Sequence, residues 1–246
     1  MPATSTIDRI TQITQDQWGL ITRAQALEAD VPSRTLDRLT ADRSLLRRVG
    51  HGVYQLAGAP EPDHLGLRTA WLQLAPTVPA WDRGPAEGVV SHRSAADLYG
   101  LGHLAPERFD FTASRRIQLR RSDVRVHCRR LKEREWIVLR GLPVTRPTRI
   151  VSDLLYDGEE PASVGRVIAD SIRAVYDYPG TFADALAPHA ARLGLRRGDG
   201  LGLLRWFLDL VGDPGTETWM REALAHMERT AETAAAPVET ATTSGP

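Results

Sequence analysis

An α+β fold is the expectation for this chain of 246 residues, and three observations carry it. Apolar residues recur at helical spacing near the start and through the last third. Short alternating runs bounded by Gly and Pro occupy one early stretch and the middle. The hydrophobic share of 42% and charged share of 25% are those of an ordinary globular protein, and the length suits one large domain or two small ones.

The elements follow in order. Ile7, Ile10, Ile13 and Trp18 mark a first helix that Thr6 can cap and Gly19 ends. Leu20 and Ile21 form a brief extended link. Thr22 caps a short helix over Arg23 to Ala29, with Ala24 and Leu27 as its apolar face. Asp30-Val31-Pro32-Ser33 is a turn, because Pro32 disfavours helix at Val31. Ser33 is read as the cap of a second helix, about Arg34 to Asp42, which buries Leu36 and Leu39. Leu45 to Val49 and Val53 to Ala57 read as two strands, with Gly50-His51-Gly52 giving the tight tip between them. Two helices, a turn and a two-stranded ribbon are the parts of a winged helix-turn-helix, and this is assigned to residues 1–59.

Gly58 to Pro62 reads as a linker. A mixed α/β domain with a small sheet and a helical carboxy-terminal part is assigned to residues 63–232. Asp63 is placed as the cap of its first helix, and Ser91 as the cap of a short one ending at Gly100. Phe109 to Thr112, Ile117 to Leu119, Val124 to Cys128 and Trp136 to Leu139 read as strands. Pro143 to Pro147 is an extended segment. Four helices are expected after residue 160, and a disordered tail is assigned to 233–246.

The chain carries 31 basic and 31 acidic residues, so no global field draws it onto a polyanion. Nucleic-acid binding must come from a local patch. Lys132 is the only lysine; the remaining cations are arginines, which bind phosphate and guanine through two donors at once. The single cysteine, Cys128, allows no internal disulfide and fits an intracellular compartment. No apolar run reaches the roughly 18 residues of a membrane span. The expectation is a cytoplasmic protein, monomeric in solution, without membrane contact.

Three groups of residues are candidates for contact with double-stranded DNA. On the second helix of the turn motif, Arg34 and Arg38 stand four apart on one face, beside Thr35, with Arg43 at the end. Ser33 at its start can offer a hydroxyl and backbone N–H groups to a phosphate. Arg38 is the choice for a base-edge contact. On the ribbon, Arg47, Arg48 and His51 suit the minor groove or flanking phosphates. The third group is the basic block SRRIQLRRSDVRVHCRRLKER, with Arg115, Arg116, Arg120, Arg121, Arg125 and Arg129. Alternation there puts Arg125, His127 and Arg129 on one face of a strand and Val124, Val126 and Cys128 on the other. This block can meet DNA, RNA or an acidic protein, or be neutralised by carboxylates of the helical end.

Catalysis finds little support. Ser91-His92 with Asp97 or Asp110 has the residue types for nucleophilic chemistry, but Ser91 reads better as a helix cap. Cys128 reads as core, as do Trp71, Trp136, Trp206 and Trp219. The histidines lack metal-ligand spacing, and no phosphate-cradling Gly loop is present. No cofactor and no metal are expected.

With those residues in view, the chain resembles the AbiEi-type antitoxins of bacterial toxin–antitoxin pairs, in their actinobacterial form. The resemblance rests on ITRAQALEADVPSRTLDRLTADRSLLRRVGHGVYQLAG, then on VVSHRSAADLYGL, FDFTASRR and RGLPVTRPTRIVSDLL, and covers roughly residues 6 to 210. It implies a DNA-binding regulator that binds repeats in its own promoter and represses its own operon. It further implies the antitoxin role of a type IV-like pair, whose partner gene encodes a nucleotidyltransferase-like toxin. Related actinobacterial proteins join the same front half to a nuclease-like domain, but the Asp…Glu-x-Lys spacing of such nucleases does not occur here. The alternative is an antitoxin that acts mainly by gripping its toxin, with DNA binding secondary.

Overall fold

The computed structural model describes residues 6–41, 45–119 and 121–235. Arg43, Arg120 and the expected tail beyond residue 235 lie outside the described residues. The fold is α+β and divides into two compact units: residues 1–100 with 104–146, and residues 101–103 with 147–246.

The first unit opens with α1 (Thr6–Gln15), β1 (Leu20–Thr22), α2 (Arg23–Glu28), α3 (Ser33–Ala41), β2 (Leu46–Gly50) and β3 (Val53–Leu56). Trp18 and Gly19 turn the chain out of α1 with positive φ. Thr22 caps α2 as expected: its hydroxyl accepts from the Gln25 N–H while the Gln25 side chain accepts from the Thr22 N–H. Ser33 is instead the first residue inside α3. The Pro32 carbonyl accepts from the Thr35 and Leu36 N–H groups, so the helix begins one residue earlier than expected. The three strands are antiparallel in the order β1-β3-β2. Ile10, Ile21, Ala26, Val31, Leu36, Leu46 and Tyr54 form one core, with Ile13, Leu39 and Leu56 against it.

The same unit continues through α4 (Leu65–Leu74), β4 (Val89–Val90), α5 (His92–Tyr99), β5 (Phe109–Ala113), β6 (Val124–Cys128), β7 (Trp136–Leu139) and β8 (Leu142–Thr145). These strands form a five-stranded sheet in the order β6-β5-β4-β8-β7. β4 is only two residues long and was not expected. It lies at the centre, antiparallel to β5 and parallel to β8. The segment read as merely extended at Pro143 is β8, which pairs with β7 through a tight Arg140-Gly141 turn, both residues at positive φ. Ile117 to Leu119 form no strand. Asp63 does not cap α4 either. Its carboxylate holds Arg140 at 2.9 Å and the buried Arg68 at 2.7 Å, and Arg68 lies 4.3 Å over the Trp18 ring.

The expected break near residues 58–62 is not where the units divide. Trp18 meets Trp71 edge to face, with centroids 5.9 Å apart. The Thr22 hydroxyl donates to the Pro76 carbonyl, and the Gln25 amide to Val78 at 3.2 Å. Polar side chains of the first sixty residues thus find main-chain partners in the segment after α4.

The second unit is helical: α6 (Pro147–Asp157), α7 (Pro161–Arg173), α8 (Pro179–Leu186), a 3-10 turn over Ala187–Leu193, α9 (Gly200–Leu210) and α10 (Thr216–Ala235). α10 runs three residues into the segment read as tail. Ile150, Val151, Val167, Ile168, Phe182, Leu203, Leu204 and Phe207 are fully buried here. Gly200 sits against the Ala183 carbonyl so closely that a Cβ would lie 1.9 Å from the oxygen. Trp206 is more exposed than a core residue, at 37%, because it stands on the outer side of α9.

Candidate nucleic-acid interface

Leu36 anchors α3 by its buried side, and this turns Arg34, Asp37 and Arg38 outward. Arg34 and Arg38 are exposed on one face, and among the described residues neither has an ion-pair partner. Thr35 and Ser33 are half-buried beside them. Asp37 does have a partner. Its Oδ1 accepts from Arg23 Nη1 at 3.0 Å, and the same guanidinium donates to the Tyr54 hydroxyl at 3.3 Å. Those contacts raise the Arg23 pKa, chiefly through the Asp37 hydrogen bond. They tie the start of α2, the face of α3 and the ribbon together. The sequence reading did not single out Arg23. The visible signal was its place directly after the Thr22 cap, where a side chain projects beside the next helix.

Arg47 and Arg48 are neighbours on β2 and point to opposite sides. Arg47 pairs with Glu61 at 2.7 Å and with Gln55 Oε1 at 2.5 Å, so its charge is met by the segment after the ribbon. Among the described residues, Arg48 keeps only a 3.3 Å bond from its Nε to the Gly50 carbonyl. With Arg23, Asp37, Thr40, His51 and Tyr54 it lines a groove of about 470 Å³ between α3 and the ribbon. His51 is exposed at the tip, where Gly52 has φ +65°.

The basic block is less uniform than expected. Arg115 and Arg116 are exposed, and Arg115 donates to the Ala86 carbonyl at 3.3 Å. Arg121 is taken up by Asp123, with Nε to Oδ1 at 2.9 Å, and by Gln73 at 2.5 Å. That bond holds the Asp123 carboxyl below its usual range. Arg125 and Arg129 are exposed, but His127 between them is not part of an open row. Its side chain is 10% exposed and its Nε2 lies 3.1 Å from Asp110 Oδ1. Its ring stacks on His92, with centroids 3.7 Å apart. The first turn of α5 covers that side of the strand. Cys128, read as core, is exposed, because β6 is the outermost strand and Cys128 lies at its end.

Ser91 is fully buried. Its carbonyl accepts from the Ala95 N–H at 3.1 Å, in the manner of a cap residue. Its hydroxyl instead lies 2.9 Å from His92 Nδ1 and 3.0 Å from Thr112 Oγ1. Asp110 goes to His127 rather than to His92, and Asp97 lies 3.4 Å from His64. The Ser-His contact therefore exists within a buried polar cluster that also holds Thr112. Alternation in Asp110-Phe111-Thr112 was the signal that could have placed Asp110 and Thr112 on one sheet face.

Among the described residues, no helix is long and apolar enough to cross a membrane. No curated protein matches the chain. A solved structure, that of the RV2827C protein from Mycobacterium tuberculosis, aligns over 90% of this chain and 81% of its own, with a TM-score of 0.50 and 16% identity; the likeness is one of fold. The family model for the AbiEi antitoxin, described as a transcriptional regulator, matches residues 8–57, the stretch from α1 through β3. Over that amino-terminal stretch the chain is similar to the AbiEi antitoxin family of transcriptional regulators.

Proposed function

We propose that the protein binds duplex DNA in a sequence-specific manner and represses the operon that encodes it and its toxin. One observation carries the reading: within the family-matched residues, α3 presents Arg34 and Arg38 on one exposed face with no acidic partner among the described residues. A helix of this kind fits the major groove, and an arginine there can bind guanine O6 and N7 together. Arg38 is assigned the base-edge contact. Arg34, Thr35 and the start of α3 at Ser33 are assigned to phosphates or adjoining bases. Arg48 and His51 reach the flanking backbone from the ribbon. Arg47 contributes less, since Glu61 already meets its charge. The block around Arg115 to Arg129 is not included in this surface, because Asp123 and Gln73 take up Arg121 and His127 is stacked on His92.

A mobility-shift titration with the promoter fragment, against a random duplex of equal length, tests the reading at two salt concentrations. The promoter should bind more tightly at both. Arg38→Ala should reduce that preference by about 5- to 150-fold, the equivalent of roughly 1–3 kcal/mol. Equal affinity of the unaltered protein for both duplexes would remove the proposal. The partner toxin is assigned on the family alone, and the reading frame beside this gene checks it.

A further inference from the structure

We infer that the outer edge of β6 is a docking site for an extended, acidic segment of a protein partner, which adds to the five-stranded sheet as a sixth strand. Among the described residues, β6 is the last strand of its sheet and pairs only with β5, in parallel. The Phe109 N–H donates to the Asp123 carbonyl, and the Arg129 N–H to the Ala113 carbonyl, both at the β5 side. Main-chain groups alternate in direction along a strand. Those of Val124, Val126 and Cys128 therefore point away from β5, and no strand of the sheet takes them. An edge of alternating N–H and C=O groups is complementary to another extended backbone.

The side chains specify the kind of strand. Val124 and Val126, with Ile117, Leu119, Gln118 and Arg116, line an open groove of about 620 Å³. Branched apolar residues suit alternate apolar side chains of a guest peptide. The surrounding block, residues 114–134, has nine basic residues against Asp123 and Glu133, and Arg121 already occupies Asp123. Arg116 and Arg130 are exposed. The guest should therefore alternate apolar and acidic residues. Nucleic acid fits this edge less well. The groove offers no aromatic ring for a base to stack upon, and outward carbonyls repel phosphate. This inference does not depend on the winged helix binding DNA.

The test uses the full chain and a fluorescein-labelled octapeptide of alternating Glu and Val, read by anisotropy near 150 mM salt, about physiological ionic strength. A Gln/Val peptide and a Glu/Val peptide with a central proline are the controls. The acidic peptide should bind, and each control should bind about tenfold more weakly or worse. Val126→Pro removes one outward N–H and none of the bonds to β5, and should weaken the acidic peptide by a similar factor. Arg116→Glu should weaken the acidic peptide but not the Gln/Val one. Amide exchange at Val124, Val126 and Cys128 should slow in the complex. Absence of binding, or equal binding of the three peptides, overturns the inference. So does displacement of the peptide by a random duplex whose own affinity falls in Arg116→Glu, since the surface would then be one for nucleic acid.

Discussion

Arg34 and Arg38 differ from Arg47 and Arg121 in what they touch, and that difference was hidden in the sequence. All four read as exposed cations. Only coordinates reveal that Glu61 and Asp123, fourteen and two residues further along, meet two of them. Arg48→Ala should therefore weaken DNA binding more than Arg47→Ala, with mobility shift as the measure; the reverse order would contradict the assignment of the ribbon. Asp63 makes a second case at this scale. Arg68 first, then Arg140, hold its carboxyl below the usual range. A carboxylate with a depressed native pKa contributes stability that is complete above its unfolded value, near pH 4, and is lost as pH falls through the native one. Asp63→Asn should accordingly flatten the fall of the denaturation midpoint below about pH 4, followed by circular dichroism. His127 and Cys128 were misplaced because alternation gives the two faces of a strand, but neither the stacking of His92 on His127 nor the place of Cys128 at the end of an edge strand.

Whole elements were more legible where caps and periodicity agree. The Thr22 capping box, the Pro32 turn and the Gly52 tip are each written in a few adjacent residues, and α2, α3, β2 and β3 formed close to where they were expected. β4 and β8 were not legible as a pair. A two-residue strand has no period, and its parallel partner lies more than fifty residues away. Arg83 shows a related blind spot. Its guanidinium donates to the carbonyls of Trp71, Leu72, Ala75 and Val78, closing the end of α4. Burial pushes its pKa down to about 10. Arg83→Met should leave buried acceptors without donors and cost about 3 kcal/mol or more, measured by urea denaturation. Leu36→Ala should cost roughly 2–5 kcal/mol, since it removes the side chain that orients α3. In the second unit, Gly200→Ala forces α9 away from Ala183 and should cost roughly 1–3 kcal/mol.

At the scale of the molecule, composition pointed to a linker over residues 58–62, whereas the first compact unit runs on to Arg146. Gln17, Thr22 and Gln25 are buried polar residues whose partners include Ala80, Pro76 and Val78. Glycine and proline at residues 58–62 mark a bend, not the limit of packing. A fragment of residues 1–59 should thus melt well below the full chain, and lengthening it to 1–146 should restore much of the difference; scanning calorimetry measures both. A fragment 1–59 as stable as the full chain would show that those contacts add nothing.

The lone thiol at the end of β6 gives the protein a ready attachment point. Cys128 is the single cysteine of the sequence and faces water, so a maleimide dye can be placed at one defined position with no substitution anywhere. Its emission would report arrivals at the neighbouring strand edge in real time, while the winged helix, bearing no sulfhydryl, stays chemically untouched.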